Sequence, residues 1–186
     1  VMTANNETGS LQPIRELAAL AHEQGALFHT DGVQALGHVP VTLEAGNIDF
    51  LSGSAHKFHG PKGVGFLFAK QGIGLESLIF GGEQERGKRA GTENVPGIVG
   101  MAAALEEAVN NLDANARKMA EARDALEAKL LALGGTRVHS GHVPRLPGHL
   151  NMAFDGVPAE ALLPVLGMAG ICVSAGSACA SGSPEP

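Results

Sequence analysis

Short apolar runs alternate with amphipathic stretches along the first half of the chain, and this alternation predicts an α/β fold. Apolar residues recur at helical spacing from Pro13 to Gly25, which predicts a helix that starts at the proline and ends at a left-handed glycine. Strand-like runs lie at residues 1–4, 26–29, 47–51 and 64–68. This order of strands and helices predicts a mostly parallel sheet with crossover helices.

The second half begins with the longest helical pattern in the chain. Apolar residues recur in steps of three, four or seven from Pro96 to Leu133, which predicts one long helix, or two helices with a break near Asp113. A further helix should begin at Pro158, and Pro164 should kink or end it. Further strands are predicted at residues 137–139, 150–154 and 171–173.

Charge and composition exclude several classes of function. The chain has a formal net charge of −6 and no basic run, which argues against nucleic acid and anionic membranes as main partners. No apolar run approaches the roughly 20 residues that span a bilayer. There is no secretory signal and there are only two cysteines, so we expect free thiols and a cytoplasmic protein.

Polar residues follow the predicted strands, where α/β folds place their chemistry. Lys57 sits in such a loop, and a lysine that loses solvation there can act as an amine nucleophile. A solvated surface lysine is the more common case on residue type alone. Asp31 either caps the next helix or faces a cationic ligand atom. Asn5 and Asn6 are either turn formers or ligand contacts.

The two cysteines differ in their surroundings. Cys172 lies between Ile171 and Val173, which is typical of a buried structural cysteine. Cys179 lies among Ala, Gly and Ser residues, so its thiol should be accessible. From the residues alone, it is either an incidental exposed thiol or a reactive one. The two cysteines lack the close spacing of a zinc site, and we expect no structural metal.

Considered together, the candidate residues match the needs of pyridoxal 5′-phosphate (PLP). The cofactor requires a lysine to hold it covalently, an acid to keep its pyridine nitrogen protonated, and hydroxyl and imidazole donors for its phosphate. The residues that meet these needs, with a remote threonine and an accessible thiol, are Asp31, Ser54, His56, Lys57, Thr92 and Cys179.

Five stretches resemble the cysteine desulfurases of the NifS and IscS kind, which are fold-type I PLP enzymes of the class-V aminotransferase family. In order, they are Ala4–Gly9, His29–Gln34, Ser54–Gly63, Gln84–Asn94 and Ser174–Ser183. The last of these resembles the NifS/IscS group rather than the SufS group. The resemblance implies that residues 1–95 belong to a large PLP-binding domain, 96–134 form a connecting helix, and 135–186 belong to a small C-terminal α+β domain with a mobile cysteine loop.

The resemblance assigns the cofactor contacts to the residues at the strand ends. Lys57 would hold PLP covalently and later act as acid and base. Asp31 would pair with the pyridine nitrogen, and Gln34 would hydrogen-bond the ring hydroxyl oxygen. Ser54 and His56 would bind the phosphate.

It also implies a substrate and protein partners. Asn6 would contact the substrate or the ring, and Thr92 would reach the phosphate of a partner subunit, so a homodimer is implied. Cys179 would take sulfur from L-cysteine as a persulfide, with release of L-alanine. The sulfur would pass to an iron–sulfur cluster assembly scaffold or another acceptor protein, with Cys179 as a transient iron–sulfur ligand.

The chain departs from the family pattern in a few places. Phe80-Gly81-Gly82-Glu83 stands where the family has His-Gly-Gly-Gly, and Pro184 stands where the family has leucine. The family's upstream phosphate-binding threonine and ring-stacking histidine, and its downstream arginine for the substrate carboxylate, are absent. We therefore expect a fragment lacking both ends that is not competent alone.

Two other functions remain open. The first is another enzyme on the same scaffold, an aminotransferase or a selenocysteine lyase. Cys179 distinguishes a desulfurase from an aminotransferase, because transamination needs no such thiol. The second is a non-catalytic sulfur-relay protein on the same fold. The presence of Lys57 argues against it.

Overall fold

The computed structural model of the chain describes residues 1–43 and 47–176, and it has the predicted α/β character. The helices are α1 (Ile14–Glu23), α2 (Val95–Asn110), α3 (Leu112–Leu131) and α4 (Ala159–Met168). The strands are β1 (His29–Asp31), β2 (Phe50–Ser54), β3 (Gly65–Ala69), β4 (Thr136–Val138) and β5 (Met152–Phe154). Strands β1 to β3 form one sheet and β4 and β5 another.

The chain divides into two compact units. The first comprises residues 1–4 and 12–115, and the second comprises residues 5–11 and the chain from residue 116 onward. The first unit contains the three-stranded sheet with α1 and α2, and the second contains the two-stranded sheet, most of α3, and α4. The predicted domain division after residues 95 and 134 stays a prediction.

Strand β2 is the centre of the sheet in the first unit. It pairs in parallel with β1, with Asp31 opposite Ser52, and antiparallel with β3, with Ser54 opposite Gly65. Met2 makes a parallel bridge to Asp31 on the other side of β1. The β2–β3 pair is antiparallel because the link at residues 55–64 is shorter than the roughly dozen residues that a parallel crossover needs.

One face of this sheet packs into a core. Thr30 and Leu51 lie opposite each other in the register and are both buried. A Cβ atom at Gly53 would come within 2.4 Å of the Phe66 ring, so only glycine fits at that position in β2. The core face holds the ends of β1 and β2 at fixed positions, and the candidate residues follow those ends.

The helix boundaries follow the sequence signals closely. Helix α1 is followed by Gly25 with φ of 70°, as the left-handed glycine predicted. The long helical pattern is two helices, and the interruption falls at Asn111, close to the predicted break. The Oδ1 atom of Asn94 accepts a hydrogen bond from the Gly97 N–H at 3.1 Å and caps the start of α2.

Helix α4 does not end at Pro164 but continues to Met168, on an exposed side where water can reach the Glu160 carbonyl that the proline leaves without a helical partner. The alternative, a kink at Pro164, stays a prediction. Two other predictions for the second unit are wrong, namely a strand at residues 171–173 and a buried Cys172. The run at residues 171–173 forms no strand, because β4 and β5 pair only with each other in the described part of the chain. Cys172 is consequently an exposed free thiol rather than a buried one.

The polar, glycine-rich segment at residues 81–91 is largely irregular. It contains one short helical turn at Gln84–Gly87, in which Glu85 and Arg86 have left-handed φ angles of 49° and 58°. None of the helices in the described ranges is both long and apolar enough to cross a membrane.

Asp49 is a buried carboxylate immediately before β2. Its Oδ2 atom accepts hydrogen bonds from His22 Nε2 at 2.6 Å and from the Phe28 N–H at 2.8 Å, and Lys70 Nζ lies 3.9 Å from Oδ1. Burial raises the pKa of Asp49, but the two hydrogen bonds and the charges of His22 and Lys70 outweigh it and lower the pKa below its ordinary value. The ionised carboxylate therefore ties α1 to the start of β2.

Replacing Asp49 with asparagine should lower the free energy of unfolding at pH 7 by about 2 kcal/mol, because charge-assisted hydrogen bonds would be lost in a buried site. The folded-state pKa lies below the unfolded value of about 3.9, so the carboxylate stabilises the fold above that value and the contribution disappears as pH falls through the folded pKa. Urea unfolding of the full-length protein from pH 7 to pH 3 should show a shallower acid loss in Asp49→Asn.

Asp124→Asn is the matched control, because the Asp124 side chain is 61% exposed in its ion pair with Arg123. This control should change stability by no more than about 0.5 kcal/mol. Equal acid profiles for wild type and Asp49→Asn would show that Asp49 does not contribute in this way.

Candidate active site

Lys57 lies in a 3₁₀ turn, Ala55–Phe58, that follows β2 directly. The Gly60 N–H donates to the Ala55 carbonyl at 2.8 Å, and His59 closes the turn with φ of 67°. Phe58 is buried and Lys57 is half-buried. Lys57 therefore lies on a tight turn, called the lysine turn below, and the buried side chain of the next residue anchors this turn in the core.

Asp31 and Gln34 lie on a neighbouring turn at the end of β1. The Asp31 Oδ1 atom accepts a hydrogen bond from the Val33 N–H at 2.9 Å, so this carboxylate organises the start of the turn, which is the local role the sequence left open. Gln34 is half-buried. Since β1 and β2 are parallel, their carboxyl ends meet at one edge of the sheet, and Asp31 and Ser54 point to the same face.

Ser54 and His56 form a hydroxyl–imidazole pair immediately before Lys57. Ser54 Oγ and His56 Nδ1 share a hydrogen bond of 2.8 Å, with Ser54 half-buried at the end of β2 and His56 exposed on the turn. The pair therefore presents a hydroxyl and an imidazole beside the lysine amine.

A second histidine, His38, contacts the lysine segment without having been predicted. Its Nε2–H donates to the main-chain carbonyl of Lys57 at 2.9 Å. The sequence contains no signal for this contact, because a carbonyl acceptor carries no side-chain signature and the two residues are 19 positions apart.

The loop at residues 5–9, which contains Asn5 and Asn6, belongs to the second unit. Its hydrogen bonds show which of the two asparagines forms the turn. Asn5 Oδ1 accepts hydrogen bonds from the main-chain N–H groups of Glu7 and Thr8 at 2.9 and 2.8 Å, which makes Asn5 the turn former. Gly9 ends the loop and packs closely against His149, because a Cβ atom at Gly9 would lie 2.5 Å from the Cβ of His149. Asn6 is half-buried within this loop, and its predicted ligand role stays a prediction.

The remaining candidates lie on other segments of the chain. Thr92 is exposed on the loop that precedes α2. Cys179 lies outside the described residues. Among the described residues, no group of three or more His, Cys, Asp and Glu side chains could hold a metal ion.

The described donor set fits PLP in its chemistry. An amine, a carboxylate, and a hydroxyl–imidazole pair all lie at the carboxyl ends of the parallel strands β1 and β2 or on the turn that follows β2. These are the group types that the aldehyde, the pyridine nitrogen and the phosphate of PLP require.

Comparison with known proteins identifies the family. The family model "Aminotransferase class-V" matches residues 1–185. The chain belongs to the class-V aminotransferase family. Members of this family depend on PLP, and the resemblance found in the sequence is confirmed.

Curated relatives of this class-V aminotransferase chain are named cysteine desulfurase. It is 54% identical to one from Klebsiella pneumoniae and 51% identical to one from Gluconacetobacter diazotrophicus, in both cases over 100% of this chain and 47% of the relative. The chain thus spans about half the length of the curated relatives it matches.

A solved structure of a NifS-like protein from Rickettsia africae has the same fold. It matches this class-V aminotransferase chain with a TM-score of 0.92 and 35% identity, over 95% of this chain and 49% of that one. The predicted fold-type I architecture is therefore confirmed for the part of the fold that the chain spans.

Proposed function

We propose that the protein containing this chain is a cysteine desulfurase that uses PLP to remove sulfur from L-cysteine. The observation that carries the proposal is the arrangement of Lys57 and Asp31 on adjacent turns at the carboxyl ends of two paired parallel strands. The curated relatives named cysteine desulfurase support the choice of reaction. PLP, when bound, supplies an electron sink for bonds at the substrate's carbon atoms.

The residues on the lysine turn and the Asp31 turn would divide the work of holding PLP. Lys57 would hold the cofactor covalently through its amine and then move a proton. Asp31 would hold a proton on the pyridine nitrogen, and Gln34 would hydrogen-bond the ring hydroxyl oxygen. Ser54 and His56 would bind the phosphate, and the hydrogen bond that joins their side chains keeps the two groups next to each other.

Cys179 would be the sulfur acceptor. Its thiolate would attack the sulfur of bound L-cysteine, so that a sulfur–sulfur bond forms while the carbon–sulfur bond breaks. The carbon would keep the electron pair, take up a proton and leave as L-alanine, with the sulfur retained as a persulfide. Asn6 would contact the substrate or the ring.

Partners follow from the same proposal. Thr92 is exposed, and it would reach the phosphate held by a second copy in a homodimer. The persulfide would pass to an iron–sulfur assembly scaffold or another acceptor protein in the cytoplasm, with Cys179 as a transient iron–sulfur ligand. Residues 1–95, 96–134 and 135–186 would serve as parts of the large domain, the connecting helix and the small domain.

The test is an assay of the full-length protein with L-cysteine and a thiol reductant. We expect a visible absorption band from the lysine-bound cofactor and equal amounts of sulfide and L-alanine, with neither product from L-serine. A protein without the band would contradict the enzyme proposal. Conversion of amino acids to oxo acids without sulfide release would instead identify an aminotransferase.

A further inference from the structure

The hydrogen bond between His38 and Lys57 joins the two turns that carry the proposed cofactor contacts. Carbonyl groups in the last turn of a helix lack partners within that helix. The main-chain bonds that close the lysine turn come from His59 and Gly60, and both end on the Ala55 carbonyl. The His38 Nε2–H supplies a donor to the Lys57 carbonyl at 2.9 Å. Because a carbonyl only accepts, Nε2 carries the proton.

His38 is itself held on the turn that starts at the end of β1. The Leu36 N–H donates to the Gly32 carbonyl, and the His38 N–H donates to the Ala35 carbonyl, both at 3.0 Å. These bonds link the position of the half-buried His38 ring to that of Asp31, the residue before Gly32. The histidine therefore extends the Asp31 turn toward the lysine turn.

Gly37 brings the two turns into close contact. Its φ is 77°, and a Cβ atom there would lie 3.0 Å from the Cβ of Phe58 and 3.0 Å from that of Ala108. A larger residue would therefore push the Asp31 turn away from the lysine turn and lengthen the His38 bond. Close packing and the hydrogen bond thus act on the same pair of segments.

We propose that His38 is a positioning residue that fixes the main chain of Lys57 relative to Asp31. This inference rests on the proposed function, because PLP must meet the Lys57 amine and the Asp31 carboxylate at the same time. A cofactor bound at two points on different turns needs those turns at a fixed separation, and a contact that orders them in advance raises its affinity. His38 touches neither cofactor nor substrate in this role.

The test compares His38→Leu with His38→Gln in the full-length protein. Leucine removes the donor, whereas the glutamine Nε2 can donate from nearly the same place as the imidazole Nε2. Loss of one neutral hydrogen bond corresponds to about three- to tenfold in an equilibrium constant. We therefore expect His38→Leu to weaken PLP binding to the apoprotein three- to tenfold and to shift the pH titration of the visible band, and His38→Gln to restore both.

His22→Leu is the matched control for general destabilisation. His22 also donates through Nε2, but to Asp49 before β2, whereas Lys57 follows β2. The five residues of β2 separate these sites by about 16 Å. His22→Leu should lower the unfolding midpoint without changing PLP affinity or the titration of the band.

A measurement without cofactor separates this inference from the proposed function. Amide hydrogen exchange of Gly60 in the apoprotein, relative to the amides of β2, should accelerate about three- to tenfold in His38→Leu and stay near wild type in His38→Gln and His22→Leu. Unchanged exchange in His38→Leu, or equal acceleration in His38→Gln, would overturn the positioning role. A wild type that binds no PLP would refute the proposed function, while the exchange data still decide whether His38 orders the lysine turn.

Discussion

Replacement of Lys57 by alanine in the full-length protein is expected to abolish the visible band of the lysine-bound cofactor and to lower kcat/KM for L-cysteine by about 10³-fold or more. The amine is both the covalent attachment and the group that moves a proton, so its loss removes two contributions together. Lys57 lies on a tight turn after β2 that buried Phe58 anchors, so we expect that no other lysine can take its place. Absorption spectra and steady-state alanine formation measure the two effects.

Lys62→Ala provides the matched control for the Lys57 substitution. Lys62 is exposed and lies, like Lys57, in the link between β2 and β3. Its replacement by alanine removes one positive charge, as Lys57→Ala does. This variant should keep the band and the wild-type rate. A Lys57→Ala protein that retains a covalently bound cofactor would exclude Lys57 as the anchor, and equal losses in both lysine variants would point to charge or folding instead.

Replacement of Cys179 by serine is expected to lower sulfide and L-alanine formation from L-cysteine by about 10²-fold or more, while the cofactor band stays at its wild-type intensity. A hydroxyl at that position cannot accept sulfur, because sulfur transfer needs a thiolate as the nucleophile. The combination of an intact band and lost turnover would separate sulfur acceptance from cofactor binding. Persulfide labelling followed by peptide mass spectrometry should find the modification on Cys179 in the wild type.

Cys172→Ser is the internal control for this experiment. Cys172 is an exposed free thiol, so it tests whether any accessible cysteine can accept the sulfur. We expect Cys172→Ser to keep full turnover and the persulfide on Cys179. Persulfide formation that survives in Cys179→Ser, or disappears in Cys172→Ser, would contradict the assigned acceptor. Formation of an oxo acid without sulfide or persulfide, in the wild type as in both variants, would instead favour an aminotransferase.

The curated relatives and the structure bear on different levels of this proposal. The family model and the identities of 51% and 54% establish class-V aminotransferase membership. The structure adds the local arrangement, in which Asp31 and the Ser54–His56 pair lie at the carboxyl ends of adjacent parallel strands. The roles of individual residues rest on that arrangement and are open to the substitutions described above.

The sequence by itself determined the elements whose signals are local. Pro13 and Gly25 mark the ends of α1 because a fixed φ suits the first turn and a left-handed φ suits glycine. The position of Lys57 after a strand followed from its short apolar run, and the motifs around it identified the family. These features depend on residues that are near one another in the chain.

Only the tertiary structure decided the contacts made across the chain. Burial of Asp49 against His22 joins residues 27 positions apart, and the bond from His38 to the Lys57 carbonyl has no side-chain signature at its acceptor. The prediction of a strand around Cys172 was wrong because a strand forms only where another strand offers its main-chain groups, and the local sequence does not show whether one does. Packing between distant segments, rather than local pattern, thus fixed how the lysine turn is held.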